Sequence, residues 1–212
     1  MFNFYPDKTF SRTDVMSCPT PVPAVNGIYF WWFKEIPSGV PTEGCITQNG
    51  YTLLYVGISP DKKGKPNSRA NLRQRIKTHY SGNAESSTLR RTLGVLLATE
   101  SNFPLRRVGS GKRTTFTHPG EQWLDQWMEK NAKVYWVANE EPWVLEETLI
   151  SSISLPLNIQ GNNHAFKPIL SAMRSKAMAE AKLMEIADET GFSRSVVAEM
   201  VKQAVPVELS HI

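Results

Sequence analysis

Cysteine is nearly absent from this chain: its 212 residues contain two, Cys18 and Cys45, with no CxxC pairing. A disulfide framework and a zinc site of recognised spacing therefore have no support, and both thiols read as ordinary reduced side chains. Long apolar runs are also missing. The longest, Ile28 to Phe33, falls far short of the roughly 20 residues a membrane span needs, and residues 1–20 hold no continuous apolar segment of the secretory kind. The expectation is a soluble, cytoplasmic protein with no membrane partner. Acidic residues are scarce in one region: residues 61–113 hold three, Asp61, Glu85 and Glu100, against thirteen Lys or Arg. Residues 114–160 reverse the balance with seven acids and two bases, within a net charge of only +4.

Core-forming material is plentiful. Apolar residues make up 41% of the chain, with six Trp and nine Phe, enough for one ordinary domain plus an appendage and against disorder. The basic stretch is what a polyphosphate ligand needs, because counterion release favours such binding at low salt. A solvated surface is the alternative reading of the same charges.

Residues 1–23 are polar, carry three prolines between Pro19 and Pro23, and read as an N-terminal arm or linker. The run Gly27-Ile28-Tyr29-Phe30-Trp31-Trp32-Phe33 is rich in aromatics and reads as a strand, ended by Pro37-Ser38-Gly39. Leu53 to Ile58 reads as a second strand, feeding a Lys-, Gly- and Pro-rich loop. A helix follows, with Ser68 or Asn71 as its cap and Leu72, Ile76 and Tyr80 forming one apolar stripe. Arg75 and His79, also four apart, lie on a neighbouring flank, where they set a fixed positive charge beside a titratable imidazole. Ser87 to Thr99 reads as a helix with Arg90 and Arg91 exposed. Arg106 to Thr117 reads either as a phosphate-contacting segment or as a mobile surface loop. Another helix starts at Gly120, and Lys133 to Val137 reads as a third strand.

Pro142 stands where a helix can begin, and Trp143, Glu146, Leu149, Ile150 and Ile153 then share a face. A carboxylate within an apolar stripe is costly unless it is paired or binds a cation. Glu147 points elsewhere. Residues 182–203 have the look of a helix-turn-helix, with Ala187 and Gly191 four apart and Ser193-Arg194-Ser195 opening the next helix; the same spacing describes any tight helical hairpin. Six bases balance six acids in residues 166–212.

Gly27-Ile28-Tyr29, Tyr55-Val56-Gly57, the arginine on the following helix, Leu145-Glu146-Glu147-Thr148-Leu149-Ile150 and Pro156-Leu157-Asn158 together resemble the GIY-YIG nuclease family in type and order. The likeness covers residues 24–165, leaving 166–212 as a C-terminal helical segment. It implies an α/β (α+β) fold, with a small mixed three-stranded sheet flanked by helices. It also implies a DNA endonuclease dependent on Mg²⁺ or Mn²⁺, with Glu146 holding the ion and Arg75 on the scissile phosphate. Tyr29 and Tyr55 would orient or deprotonate the water, with the choice of base open; His79 would relay a proton or bind phosphate, and Asn158 would fix the site's geometry. Tyr29 and Tyr55 stand 26 positions apart, wider than the usual single hairpin, so Pro37 to Gly50 reads as an inserted loop. DNA contacts are assigned to Lys62, Lys63, Lys65, Arg69, Arg106, Arg107, Lys112, Arg113 and Arg194. Two other classes fit the same chain: a non-catalytic nucleic-acid-binding module that keeps the fold, and a regulator working through its C-terminal helices.

Overall fold

The computed structural model describes residues 6–60, 70–192, 196–197 and 199–201. In chain order its elements are α1 (Arg12–Met16), β1 (Gly27–Phe33), β2 (Thr47–Gln48), β3 (Tyr51–Ser59), α2 (Leu72–Ser81), α3 (Thr88–Leu96), α4 (Ala98–Ser101), β4 (Arg106–Val108), β5 (Arg113–Thr115), α5 (Thr117–Asn131), β6 (Ala132–Ala138), α6 (Pro142–Ser152) and α7 (Lys167–Leu183). Contacts divide the chain into two units, Met1–Ser81 with Trp127–Ser171, and Gly82–Gln126 with Ala172–Ile212.

The first unit is built on a four-stranded sheet of order β2-β3-β1-β6, antiparallel at every pairing. The expected mixed, three-stranded sheet is corrected on both counts. The extra strand comes from the segment read as an inserted loop, where Asn49 and Gly50 take positive φ, 51° and 76°. Two successive positive φ values suit a tight hairpin turn that follows strand twist, and Thr47 and Gln48 accordingly return to face Thr52 and Tyr51. At the other side β6 runs against β1, with Gly27 opposite Ala138 and Phe33 opposite Ala132, so no parallel pair arises.

Every residue of β1 is buried, and a strand covered on both faces reads as a continuous apolar run rather than an alternation. Ile28, Phe30 and Trp32 join Leu53, Val56 and Ile58 in a core closed by Leu149 and Ile150 of α6. Tyr29 and Trp31 face the other way, towards α2, where Trp31 meets the Tyr80 ring edge-on at 4.6 Å. The register shifts between Trp31 and Trp32, which face Tyr55 and Leu53 with Leu54 left over. This bulge keeps Leu53 and Val56 on the core face and Tyr55 on the face of Tyr29. Asn71 caps α2 by accepting the Gln74 N–H at 3.0 Å, and Leu72, Ile76 and Tyr80 are buried as their spacing predicts.

The N-terminal stretch is more than an arm. Ser11 Oγ accepts the Asp14 N–H (3.2 Å) and Asp14 Oδ2 accepts the Ser11 N–H (2.8 Å), a capping box that starts α1. Phe10 and Val134 exchange two backbone bonds of 2.8 and 2.9 Å, which occupies part of the outer edge of β6.

In the second unit, Ala84, Leu105, Phe116 and Ala181 form a small core. Arg90, expected to be exposed on α3, is instead 0% exposed. Its Nε and Nη2 donate to Glu121 Oε2 (3.0 and 2.8 Å) and its Nη1 to Asp125 Oδ1 (2.7 Å). Two carboxylates one turn apart on α5 supply what a buried guanidinium needs. Arg107 is also used internally, donating to the carbonyls of Ala181 (3.3 Å) and Met184 (2.6 Å), while Arg106 Nη2 reaches the Glu185 carbonyl (3.1 Å). Both satisfy carbonyls around the end of α7.

The helix-turn-helix expected over residues 182–203 is not seen among the described residues, and its helix-opening Ser193-Arg194-Ser195 lies outside them. Residues 184–192 are not helical, whereas a helix-turn-helix joins its helices by only about 3–4 residues. The reason is a competing backbone bond: the Ala187 N–H donates to the Arg107 carbonyl at 2.8 Å, and Ala187 bridges Val108.

Candidate active site

Helix α2 carries Arg75 and His79 one turn apart, and both reach the same phenol on β1. Arg75 Nε donates to Tyr29 Oη at 3.4 Å, and His79 Nε2 shares a hydrogen bond with the same oxygen at 2.9 Å, its direction set by the imidazole tautomer. His79 lies in the interior rather than on the helix flank. Three rings surround it, Tyr29 at 5.2 Å, Trp31 at 5.7 Å and Tyr55 at 6.3 Å between centroids. The imidazole is thus fixed in a mostly apolar box with the tyrosine hydroxyl as a polar partner.

The glycines of the two tripeptides follow from the same packing. Tyr29 lies opposite Gly57 in the sheet, and its ring leans over that residue so closely that a Cβ there would stand 2.5 Å from Tyr29 Oη. A Cβ on Gly27 would meet the Val137 carbonyl and come within 2.7 Å of Leu72 Cδ1. One glycine therefore makes room for the phenol, and the other for the strand and helix that flank it.

Burial, first, and then the neighbouring Tyr55 hold the Tyr29 phenol far above its usual range; Arg75 opposes the shift and Glu146 adds to it. Glu146 is therefore close enough to act on Tyr29 through space. It sits half-buried on α6, between the buried Leu149 and Ile150 and the exposed Glu147, and Pro142 starts that helix as its position suggests.

Asn158 acts differently from the others. Its Oδ1 accepts the Val56 N–H (2.9 Å) and its Nδ2 donates to the Val56 carbonyl (2.8 Å). The side chain imitates a neighbouring strand at the residue between Tyr55 and Gly57. Asn162, which sequence reasoning passed over as part of a polar turn, holds this loop by donating to the carbonyls of Leu155 (2.7 Å) and Asn158 (2.8 Å). Its signal was a polar residue four positions beyond Asn158 in an otherwise unremarked turn.

The family model described as the GIY-YIG catalytic domain matches residues 27–176, a span that contains every one of these side chains. The chain belongs to the GIY-YIG nuclease family. Comparison with curated proteins and with solved structures found no match for it. The residues expected at the site, Tyr29, Tyr55, Arg75, His79, Glu146 and Asn158, all lie in the first unit. Of the residues assigned to DNA, Arg106, Arg107, Lys112 and Arg113 lie in the second unit, on and around the β4–β5 hairpin. Lys112 and Arg113 are exposed at its turn, while Arg106 and Arg107 serve the end of α7. Lys62, Lys63, Lys65, Arg69 and Arg194 lie outside the described residues. No helix among the described residues is long and apolar enough to cross a membrane.

Proposed function

We propose that this GIY-YIG domain is a metal-dependent DNA endonuclease. The observation that carries the reading is the Tyr29 hydroxyl held between Arg75 and His79. Phosphodiester hydrolysis requires a water to lose its proton as it attacks, and positive charge to meet the charge that develops on phosphorus-bound oxygens. A standing Tyr29 phenolate is not the base at neutral pH, since burial holds the phenol protonated. With His79 in the tautomer whose Nε2 accepts, the phenol works as a relay, its oxygen receiving the water's proton as its own hydrogen passes to Nε2. Tyr55 shares the sheet face and is 8% exposed against 1% for Tyr29, which suits it to orient the water. Arg75, permanently charged, binds the scissile phosphate while its Nε keeps Tyr29 in place.

Glu146 is the residue that would hold the divalent ion. A hard cation that keeps several waters needs only one or two carboxylates, and Glu146 offers one; among the described residues no three His, Cys, Asp or Glu side chains gather into a metal cage. Bound there, Mg²⁺ or Mn²⁺ supplies positive charge for the phosphate and the leaving oxygen. Incubating the purified protein with supercoiled plasmid in Mg²⁺, Mn²⁺ or EDTA tests this directly, with a parallel RNA substrate. Nicked and linear DNA should form with either ion and not in EDTA. Equal cleavage in EDTA contradicts the metal dependence, preferential RNA cleavage contradicts the DNA assignment, and no cleavage of either substrate contradicts the enzymatic reading.

A further inference from the structure

A recess lies on the face of β1 opposite Tyr29. It has a volume of about 130 Å³ and is lined by Trp32 and Lys133, by the N-terminal strap at Pro6, Asp7 and Thr9, and by the β2–β3 hairpin. Gln48 Nε2 donates to the Pro6 carbonyl at 3.3 Å, tying hairpin to strap. Lys133 lies opposite Trp32 in the sheet and holds its Nζ 4.8 Å above the Tyr51 ring. Trp32 is 2% exposed, and its indole N–H has no acceptor among the described residues. A buried donor without a partner is costly, and nothing in the catalytic arrangement uses this one.

We propose that this recess binds a single nucleobase with an attached phosphate, an assignment that rests on the nuclease reading for its class of ligand. Drug-sized ligands need about 300 Å³ or more, so the space suits one ring system. Half-buried Tyr51 offers aromatic surface, and the unsatisfied indole N–H of Trp32 at the recess wall offers a bond to a base carbonyl or ring nitrogen. Gln48, Asn49 and Thr9 bring amide and hydroxyl groups that read a base edge, and Lys133 brings a cation for the phosphate. Unpaired bases are recognised elsewhere by this combination of stacking, edge hydrogen bonds and charge. The base can come from a free nucleotide or from an unpaired position in a strand.

The test follows the six indole N–H resonances of the full-length protein in EDTA, with the Trp32 signal assigned by its loss in Trp32→Phe. The probes are the four nucleoside 5′-monophosphates, ribose 5-phosphate and a single-stranded hexanucleotide. The Trp32 signal should shift saturably with at least one mononucleotide and not with ribose 5-phosphate. Gln48→Ala and Lys133→Met, both at accessible positions, should each weaken that binding by about fivefold or more, the loss expected for one hydrogen bond or ion contact. Tighter binding of the hexanucleotide points to a strand as the source, and tighter binding of the mononucleotide points to a free ligand; either supports the site. No shift of Trp32 with any base at about 10 mM, an equal shift with ribose 5-phosphate, or binding unaffected by both variants overturns it. Cleavage without base binding removes this proposal alone, and base binding without cleavage removes the nuclease reading alone.

Discussion

Asn158→Ala removes the side chain that completes β3 from outside. The parent residue is 5% exposed and takes both backbone groups of Val56, at 2.9 and 2.8 Å. Each buried polar group left unpaired costs about 1–3 kcal/mol, so the two together put the substitution at about 2–6 kcal/mol. Against a domain stability of about 5–15 kcal/mol, that is a large fraction. Urea unfolding followed by tryptophan fluorescence measures it, because Trp31 and Trp32 lie in the strand beside β3. Cleavage should be lost with the folded fraction, and should recover at low temperature or with stabilising osmolyte, since Asn158 supports Tyr55 and Gly57 without touching the reacting atoms. A variant as stable as the parent and inactive at every temperature would refute this reasoning and put Asn158 on the substrate.

Arg90→Met leaves Glu121 and Asp125 facing each other without their cation, and breaking one side of such a buried arrangement costs about 3–5 kcal/mol; circular dichroism during urea unfolding should show it. Tyr29 and Tyr80 are both raised by burial, so above about pH 10, the ordinary tyrosine value, the unfolded chain releases protons that the folded one keeps. Their contribution is fully present below that pH and is lost as pH rises towards the folded values, so the urea midpoint should fall between pH 9 and pH 11. Reversing Lys112 and Arg113 to Glu should flatten the dependence of DNA affinity on log salt, measured by fluorescence anisotropy in EDTA. An unchanged slope contradicts a role for the hairpin turn in phosphate contact.

Local spacing made much of the site legible before any coordinates. The Leu72, Ile76 and Tyr80 stripe fixed which side of α2 meets the sheet, and Arg75 and His79, one turn apart, then had to lie near it together. Pro142 and the apolar neighbours of Glu146 located α6 and its half-buried carboxylate. Partners distant in sequence were not legible. Helical spacing put Arg90 on a flank, but only the tertiary approach of Glu121 and Asp125 explains its burial. The Asn49-Gly50 pair was a usable hairpin signal, and reading its surroundings as an inserted loop concealed β2. The basic run around Arg106 and Arg107 looked like a phosphate surface because composition does not distinguish an arginine facing solvent from one bonded to a helix end. Ala187 and Gly191 had the spacing of a helical turn, yet Ala187 is held in a bridge by its backbone bond to Arg107.

Glu146→Gln, assayed beside Glu147→Gln on supercoiled plasmid in Mg²⁺, addresses the proposed chemistry most directly. The substitution keeps the size and hydrogen-bonding capacity of the side chain and removes the charge that would hold the cation. Cleavage should be abolished in Glu146→Gln and retained in Glu147→Gln, whose side chain is exposed. Both variants should remain folded without metal, as circular dichroism on heating checks, since the half-buried Glu146 and the exposed Glu147 keep their size in the amide. Parental cleavage by Glu146→Gln contradicts the account, and unfolding of that variant would show the carboxylate to be structural.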